Sequence, residues 1–148
     1  MSRRAQIVMS AEEAAAFLDE QRVVTCATLG RDGWPHLMPL WYVLRDGEVW
    51  AWTYAKSQKV RNLERDRRCT LQVETGDSYD QLRGVMLKAE AVIHREHVLE
   101  LGVEIFERYT GGPVDPEALA PQAAKRVGLQ FVVNSMATWD HRKLAGVY

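Results

Sequence analysis

Between Val23 and Thr53 the chain reads as three extended segments joined by two very short turns, and this spacing constrains the fold more than any other feature. Val23 to Leu29 (VVTCATL) is rich in β-branched residues and ends at Gly30-Arg31-Asp32-Gly33. Trp34 to Leu44 (WPHLMPLWYVL) resumes extended character. Arg45-Asp46-Gly47-Glu48 then supplies an Asp-Gly turn of the kind that suits type I′ geometry, leading into Val49 to Thr53. Connections this short join antiparallel neighbours, because parallel strands need a crossover of a dozen residues or so. A βαβ arrangement is therefore excluded for this region. Pro35 and Pro39 lack the N–H that a strand ladder uses, so the second strand must be an edge, or bulged, near them.

The remaining segments extend the pattern. Ser10 with Glu13 forms a capping box ahead of a helix from Ala11 to Gln21. Ser57 is an N-cap for a one-sided surface helix over SQKVRNLERDRR, with Val60 and Leu63 on its apolar face. Cys69 to Glu74 alternates as a strand, GDSYDQ is read as a loop, and Leu82 to Arg95 is long enough for a strand that bends at Gly84. A helix over His97 to Tyr109 is broken by TGGPVDP. A short helix over Glu117 to Arg126 precedes a last strand, Val127 to Val133, and a terminal segment, SMATWDHRKLAGVY. Six strands with helices at the start, in the middle and before the last strand predict an α+β fold, a closed or split antiparallel β-barrel that hides its strand edges. The 148 residues form one domain, 1–148, large enough to bury a core without disulfides or metal.

Composition narrows the function. With 19 Lys and Arg against 20 Asp and Glu, the chain is not expected to coat nucleic acid or lie on an anionic membrane. No apolar run approaches the roughly 18 residues of a membrane helix, and MSRRAQIVMSAEE has no secretory pattern, so a cytoplasmic address is expected. Cys26 and Cys69 have no metal-ligand spacing and are expected as buried, reduced thiols. His94 and His97 have near-helical spacing but no third ligand, so no metal is expected. His141 beside either cysteine would be needed for a thiol nucleophile, yet neither cysteine has an activating sequence environment.

Two segments carry chemistry. From Thr53 to Leu63 a strand ends and a helix begins, with Lys56, Ser57, Gln58, Lys59, Arg61 and Asn62 at the junction. Free N–H groups, a hydroxyl and full positive charges make this a phosphate or carboxylate site; the alternative is a capped helix with a solvated basic face. It lacks the glycine spacing of a P-loop. In the other segment, Trp34 to Tyr42, Pro39 frees neighbouring backbone groups to hydrogen-bond a planar heterocycle, with Met38 or Trp41 in apolar contact; the alternative is an edge strand at a dimer contact. Four of the five tryptophans fall between Trp34 and Trp52, which also points to a flat-faced pocket or an interface.

The ordered set Ala27-Thr28-Leu29, Gly33-Trp34-Pro35-His36-Leu37-Met38-Pro39-Leu40-Trp41, Ser57-Gln58-Lys59-Val60-Arg61-Asn62-Leu63 and Arg65-Asp66-Arg67-Arg68 resembles the pyridoxamine 5′-phosphate oxidase-like split β-barrel superfamily. Within it the chain is most similar to the flavin and deazaflavin oxidoreductases that use coenzyme F420. The resemblance covers about Ala11 to Val92 and, more loosely, the WDHRKL segment. It implies a homodimer of six-stranded barrels with cofactor sites at the subunit interface. Ser57, Gln58 and Lys59, helped by Arg61 and Asn62, would hold the cofactor phosphate, with Thr53 ending the strand beside it. Met38, Pro39, Leu40 and Trp41 would line the tricyclic ring. Tyr79 would reach across the cofactor or the partner's site as a candidate proton donor. Lys56, Lys59, Arg61 and Arg65 offer a track for the oligoglutamate tail of F420, which FMN lacks. The implied activity is hydride transfer from F420 to an activated C=C or C=N bond of a small-molecule substrate; the alternatives are an FMN-dependent oxidase or reductase and a non-catalytic cofactor-binding protein.

Overall fold

The computed structural model describes residues 1–147. Helices α1 (Arg3–Gln6) and α2 (Ala11–Glu20) precede strands β1 (Val23–Leu29), β2 (Pro35–Arg45) and β3 (Glu48–Tyr54). Helix α3 (Gln58–Arg65), β4 (Arg68–Thr75), β5 (Arg83–His94), α4 (Val98–Thr110), α5 (Pro116–Ala123) and β6 (Arg126–Asp140) follow, with single 3₁₀ turns at Tyr79–Gln81 and His141–Leu144. The six strands close an antiparallel barrel in the order β1-β2-β3-β6-β5-β4.

Strand alternation sorts the side chains into two layers. Val24, Cys26, Tyr42, Val49, Ala51, Leu71, Val85, Leu129 and Phe131 fill the barrel, joined by Phe17 and Leu18 of α2 and Val60 and Leu63 of α3. Outside it, Val43 and Trp52 pack under Val98, Leu101 and Ile105 of α4. Gly102 lets α4 come close, since a Cβ there would lie 2.3 Å from the Trp52 ring. Arg108 of α4 donates to the carbonyls of Leu18, Asp19 and Gln21 and so ties the end of α2 to this outer layer.

The prolines sit where their missing donors are harmless. β2 pairs with β1 from Pro35 to Trp41 but with β3 only from Tyr42 to Arg45, so Pro35 and Pro39 lie on a half-strand whose second edge is open.

Several sequence expectations are corrected. The last strand runs from Arg126 to Asp140, well past Val133, because Ser135 to Asp140 pairs with Lys88 to Arg83; this cross-strand pairing is invisible in the weakly β-forming NSMATWD run. The irregularity in β5 falls between Lys88 and Ala89, not at Gly84. Gly84 instead makes room for the Trp139 ring, which a Cβ would meet at 2.1 Å. α5 begins at Pro116, capped by Asp115, and ends at Ala123, since Arg126 already belongs to β6. The GDSYDQ loop contains the 3₁₀ turn, and the short α1 adds a helix the sequence did not announce.

The WDHRKL segment packs against the N-terminal segment: Asp140 N–H donates to the Ile7 carbonyl at 2.8 Å, and its carboxylate caps the following turn through Arg142. Tyr148 lies outside the described residues.

Candidate functional site

Helix α3 packs against β1 at one end of the barrel, and two of its polar residues, Lys59 and Asn62, turn inward. Ser57 caps it, accepting from the Val60 N–H at 3.4 Å. Asn62 is fully buried and donates to Thr28 Oγ1 at 3.0 Å, while Gln58 donates to Asn62 Oδ1 at 2.9 Å. Lys59 is only 4% exposed, and its ammonium donates to Thr53 Oγ1 at 2.9 Å. Among the described residues no carboxylate forms an ion pair with Lys59. Burial lowers its pKa, opposed by the nearby Cys26 sulfur, so this is a charge in the barrel end held by one neutral partner.

Above it opens a cleft of about 440 Å³. One wall is Met38, Pro39, Leu40 and Trp41 from the open half of β2; the floor is Trp52, Thr53 and Tyr54 from the end of β3, with Ser57 and Lys59. Phe106, Gln122 and Arg126 close the far side. The Trp41 ring stacks on Tyr109 with centroids 4.0 Å apart and meets Phe106 edge-on at 5.6 Å. It remains 44% exposed toward the cleft side of β2. The Arg126 guanidinium lies over the rings of Trp52 and Tyr54 at 4.6 and 4.2 Å, and donates to the Gln122 carbonyl at 3.3 Å. Stacking fixes its direction without neutralising it. The cleft thus joins an aromatic wall to an anion-attracting end made of Ser57, Lys59, Arg126 and the start of α3.

Of the residues singled out from sequence, Met38, Pro39, Leu40, Trp41, Thr53, Ser57 and Lys59 meet in this cleft. Gln58 and Asn62 instead line a neighbouring pocket of about 360 Å³ with Asp32, Trp34 and His36. Lys56 and Arg61 are exposed and outside the cleft lining. Arg65 donates to the Leu29 carbonyl, so its guanidinium serves the barrel end. Tyr79 is set edge-on against His141 at 4.5 Å and does not line the cleft. Sequence reasoning missed Arg126, Phe106 and Gln122. For Arg126 the available signal was a cation placed directly before the last β-rich run.

Among the described residues no three His, Cys, Asp or Glu side chains converge as a metal-ligand group. No helix among them is long and apolar enough to cross a membrane.

The topology defines a six-stranded antiparallel β-barrel with a cleft at one end, and the comparisons agree on that fold. Residues 10–140 match the family model described as pyridoxamine 5′-phosphate oxidase, and the chain belongs to that family. A conserved hypothetical protein of Mycobacterium tuberculosis is 44% identical, with a TM-score of 0.88 over 100% of this chain and 95% of that one. More distant structures share the fold. An F420 reductase is 19% identical with a TM-score of 0.71, covering 86% of this chain and 98% of its own. A FAD-binding protein of Mesorhizobium loti is 19% identical with a TM-score of 0.67, covering 88% and 94%. No curated protein matches the chain. The family match and these neighbours place the chain on one barrel fold.

Proposed function

We propose that the cleft holds a phosphorylated flavin-type cofactor, coenzyme F420 in the first reading, and that the protein is an oxidoreductase acting on a small molecule with an activated C=C or C=N bond. The observation that carries this is the Lys59 ammonium, buried without a carboxylate at the foot of an aromatic-walled cleft. A charge in that position is compensated when an anion enters. A phosphorylated aromatic group fits this donor set. Ser57, Lys59 and the first turn of α3 would bind the phosphate, Arg126 would attract further negative charge, and Met38, Leu40, Trp41 and Trp52 would exclude water from the ring. The bound cofactor would supply hydride; the chain supplies orientation and a dry face.

Exposed Lys56 and Arg61, with Arg126, leave cations for an oligoglutamate tail. FMN is the second reading, favoured by the engagement of Arg65 with Leu29, which takes one cation away from that track. A homodimer is part of the proposal: Leu37, Met38, Val132, Val133 and Met136 are 38–57% exposed on strands β2 and β6, an apolar surface suited to a second copy.

Titration of the purified protein with F420 and, separately, FMN, followed by tryptophan and cofactor emission, tests the reading. Micromolar or tighter F420 binding with weak FMN binding is expected. The reverse preference selects the FMN reading, and binding of neither overturns both.

A further inference from the structure

Lys59 is a buried amine as well as a buried charge, and the proposed function uses only the charge. The other lysines, Lys56, Lys88, Lys125 and Lys143, are exposed, whereas Lys59 is 4% exposed and borders the cleft. No Asp or Glu lines that cleft, so the ammonium has only the neutral Thr53 hydroxyl, at 2.9 Å, to hold it in the charged form. Burial acts the other way and keeps the pKa of Lys59 below its ordinary 10.5. A lysine in water, with a pKa of about 10.4, is a free amine in only about 0.04% of molecules at pH 7. Desolvation, helped by a second cation in the same site, is how proteins make a lysine nucleophilic at neutral pH.

The second cation is Arg126. Its guanidinium is fixed over the Trp52 and Tyr54 rings at 4.6 and 4.2 Å and, among the described residues, forms no ion pair with a carboxylate. One cleft of about 440 Å³ therefore presents an amine, a guanidinium without a counter-ion and an aromatic wall. A ligand that matches all three offers an electrophilic carbon to the amine, an anion to the guanidinium and a flat ring to the wall. An aldehyde is such a carbon: it condenses with a primary amine without prior activation.

We propose that Lys59 is a covalent attachment site for aromatic aldehydes that carry an anionic group, held as an imine with the anion on Arg126. The Nζ lone pair of the free amine attacks the aldehyde carbon and opens the C=O bond to a carbinolamine. Its oxygen then leaves as water, taking both hydrogens of the free amine, and a C=N bond replaces the C=O bond. The third proton of the original ammonium goes to solvent, and nothing is oxidised or reduced. The neutral imine removes a buried positive charge that only a hydroxyl compensates, so burial favours the adduct here over one on an exposed lysine. Thr53 Oγ1 accepts from the ammonium and can turn its own hydrogen toward the imine nitrogen, so one side chain serves both states. Against the ring, Met38, Leu40 and Trp41 replace water. The adduct fills the cleft assigned to the cofactor, so aldehyde and cofactor exclude each other, but attachment itself requires no cofactor.

The test incubates the full chain at pH 7 with a near-stoichiometric amount of meta- or para-carboxybenzaldehyde and with sodium cyanoborohydride, which reduces the imine to a stable amine. Peptide mass mapping then locates the adduct, which adds the mass of the aldehyde less one oxygen. A single adduct on Lys59 is expected for at least one isomer, formed about tenfold or more faster than on any exposed lysine. Benzaldehyde on the wild-type chain, and the carboxylated aldehyde on Arg126→Met, should each label Lys59 about tenfold more slowly, the scale of one charge-assisted hydrogen bond. Because the mapping compares lysines within one folded wild-type chain, its result does not depend on how a variant folds; in urea the preference for Lys59 should vanish. With both isomers, adducts confined to exposed lysines, or Lys59 labelled no faster than they are, overturn the proposal. A Lys59 adduct indifferent both to the carboxylate and to Arg126 overturns the assigned ligand class. An adduct in a protein that binds neither FMN nor F420 upholds the attachment site and overturns the cofactor reading; tight cofactor binding with no adduct does the reverse.

Discussion

Replacing Lys59 by methionine separates a functional charge from a structural one, because the two roles predict opposite signs for stability. Lys59 is 4% exposed and has one hydrogen bond, to the neutral Thr53 hydroxyl at 2.9 Å. Removing an ammonium from water costs several kcal/mol even after relaxation, and a single hydrogen bond from a charged group returns only about 1.5–3 kcal/mol. Methionine keeps the length of the side chain, adds apolar contact in the barrel end and leaves Thr53 a hydroxyl that can find another partner. The unliganded variant should be more stable by about 1–2 kcal/mol, a rise in Tm of about 3–6 °C for a chain of this size. If the cleft holds a cofactor phosphate as proposed, the same change removes a charge-assisted bond to it, and the Kd for F420 or FMN should rise about 10- to 150-fold. Thermal unfolding and fluorescence titration on the same samples measure both. A pH series adds a third readout. Burial holds the folded-state pKa of Lys59 below its ordinary value of 10.5, so between those two values the unfolded chain binds more protons and stability rises with pH. That rise should vanish in the variant. A lower Tm with an unchanged Kd would show that Lys59 serves the fold and would refute the reasoning.

Three further outcomes are expected. Gly102→Ala places a methyl 2.3 Å from the Trp52 ring, which should lower stability by about 1–3 kcal/mol and weaken cofactor binding by shifting the cleft floor; chemical denaturation and titration check the pair, and unchanged affinity would detach Trp52 from the site. Asp140 is 6% exposed and its carboxylate is held below its usual pKa chiefly by the Arg142 side chain, with hydrogen bonds of 2.8 and 2.9 Å. Its contribution is present above the unfolded value of 3.8 and lost as pH falls through the lower folded value. Asp140→Asn should thus be less stable at neutral pH by about 1–3 kcal/mol and show a shallower acid loss in unfolding curves from pH 7 to 2. If the protein is the proposed dimer, Val133→Glu, which puts a charge on the exposed apolar surface of β6, should make it monomeric in sedimentation equilibrium, with cofactor affinity falling in step; an intact dimer would move the interface elsewhere, and a monomeric parent protein would remove the dimer from the proposal.

Much of the barrel was legible because its signals are local. The Asp46-Gly47 turn, the β-branched runs of β1 and β3, and the Ser10 and Ser57 caps each act within a few residues. The prolines of β2 announced an open edge, and β2 has one. The second half of β6 was not legible, since Ser135 to Asp140 becomes a strand only by pairing with β5, some fifty residues earlier in the chain. The cleft shows the same division. Met38 to Trp41 and Ser57 to Lys59 stand out because proline and helix-start chemistry mark them, whereas Gln58 and Asn62, close in sequence to Lys59, face another pocket.

The sequence by itself therefore determined the presence of six strands and of helices α2 to α5, the tight turns of the first hairpins and a polar helix start beside an aromatic hairpin. Those follow from backbone geometry and short-range hydrogen bonding, which a few neighbouring residues decide. Only the tertiary structure decided that Lys59 turns into the barrel toward Thr53 and Cys26, that Arg126 reaches the cleft across Trp52 and Tyr54, and that Arg65 is engaged by Leu29. Burial, pairing and electrostatic coupling are properties of residues brought together from distant parts of the chain, and no local pattern encodes which of several cations will lose its water.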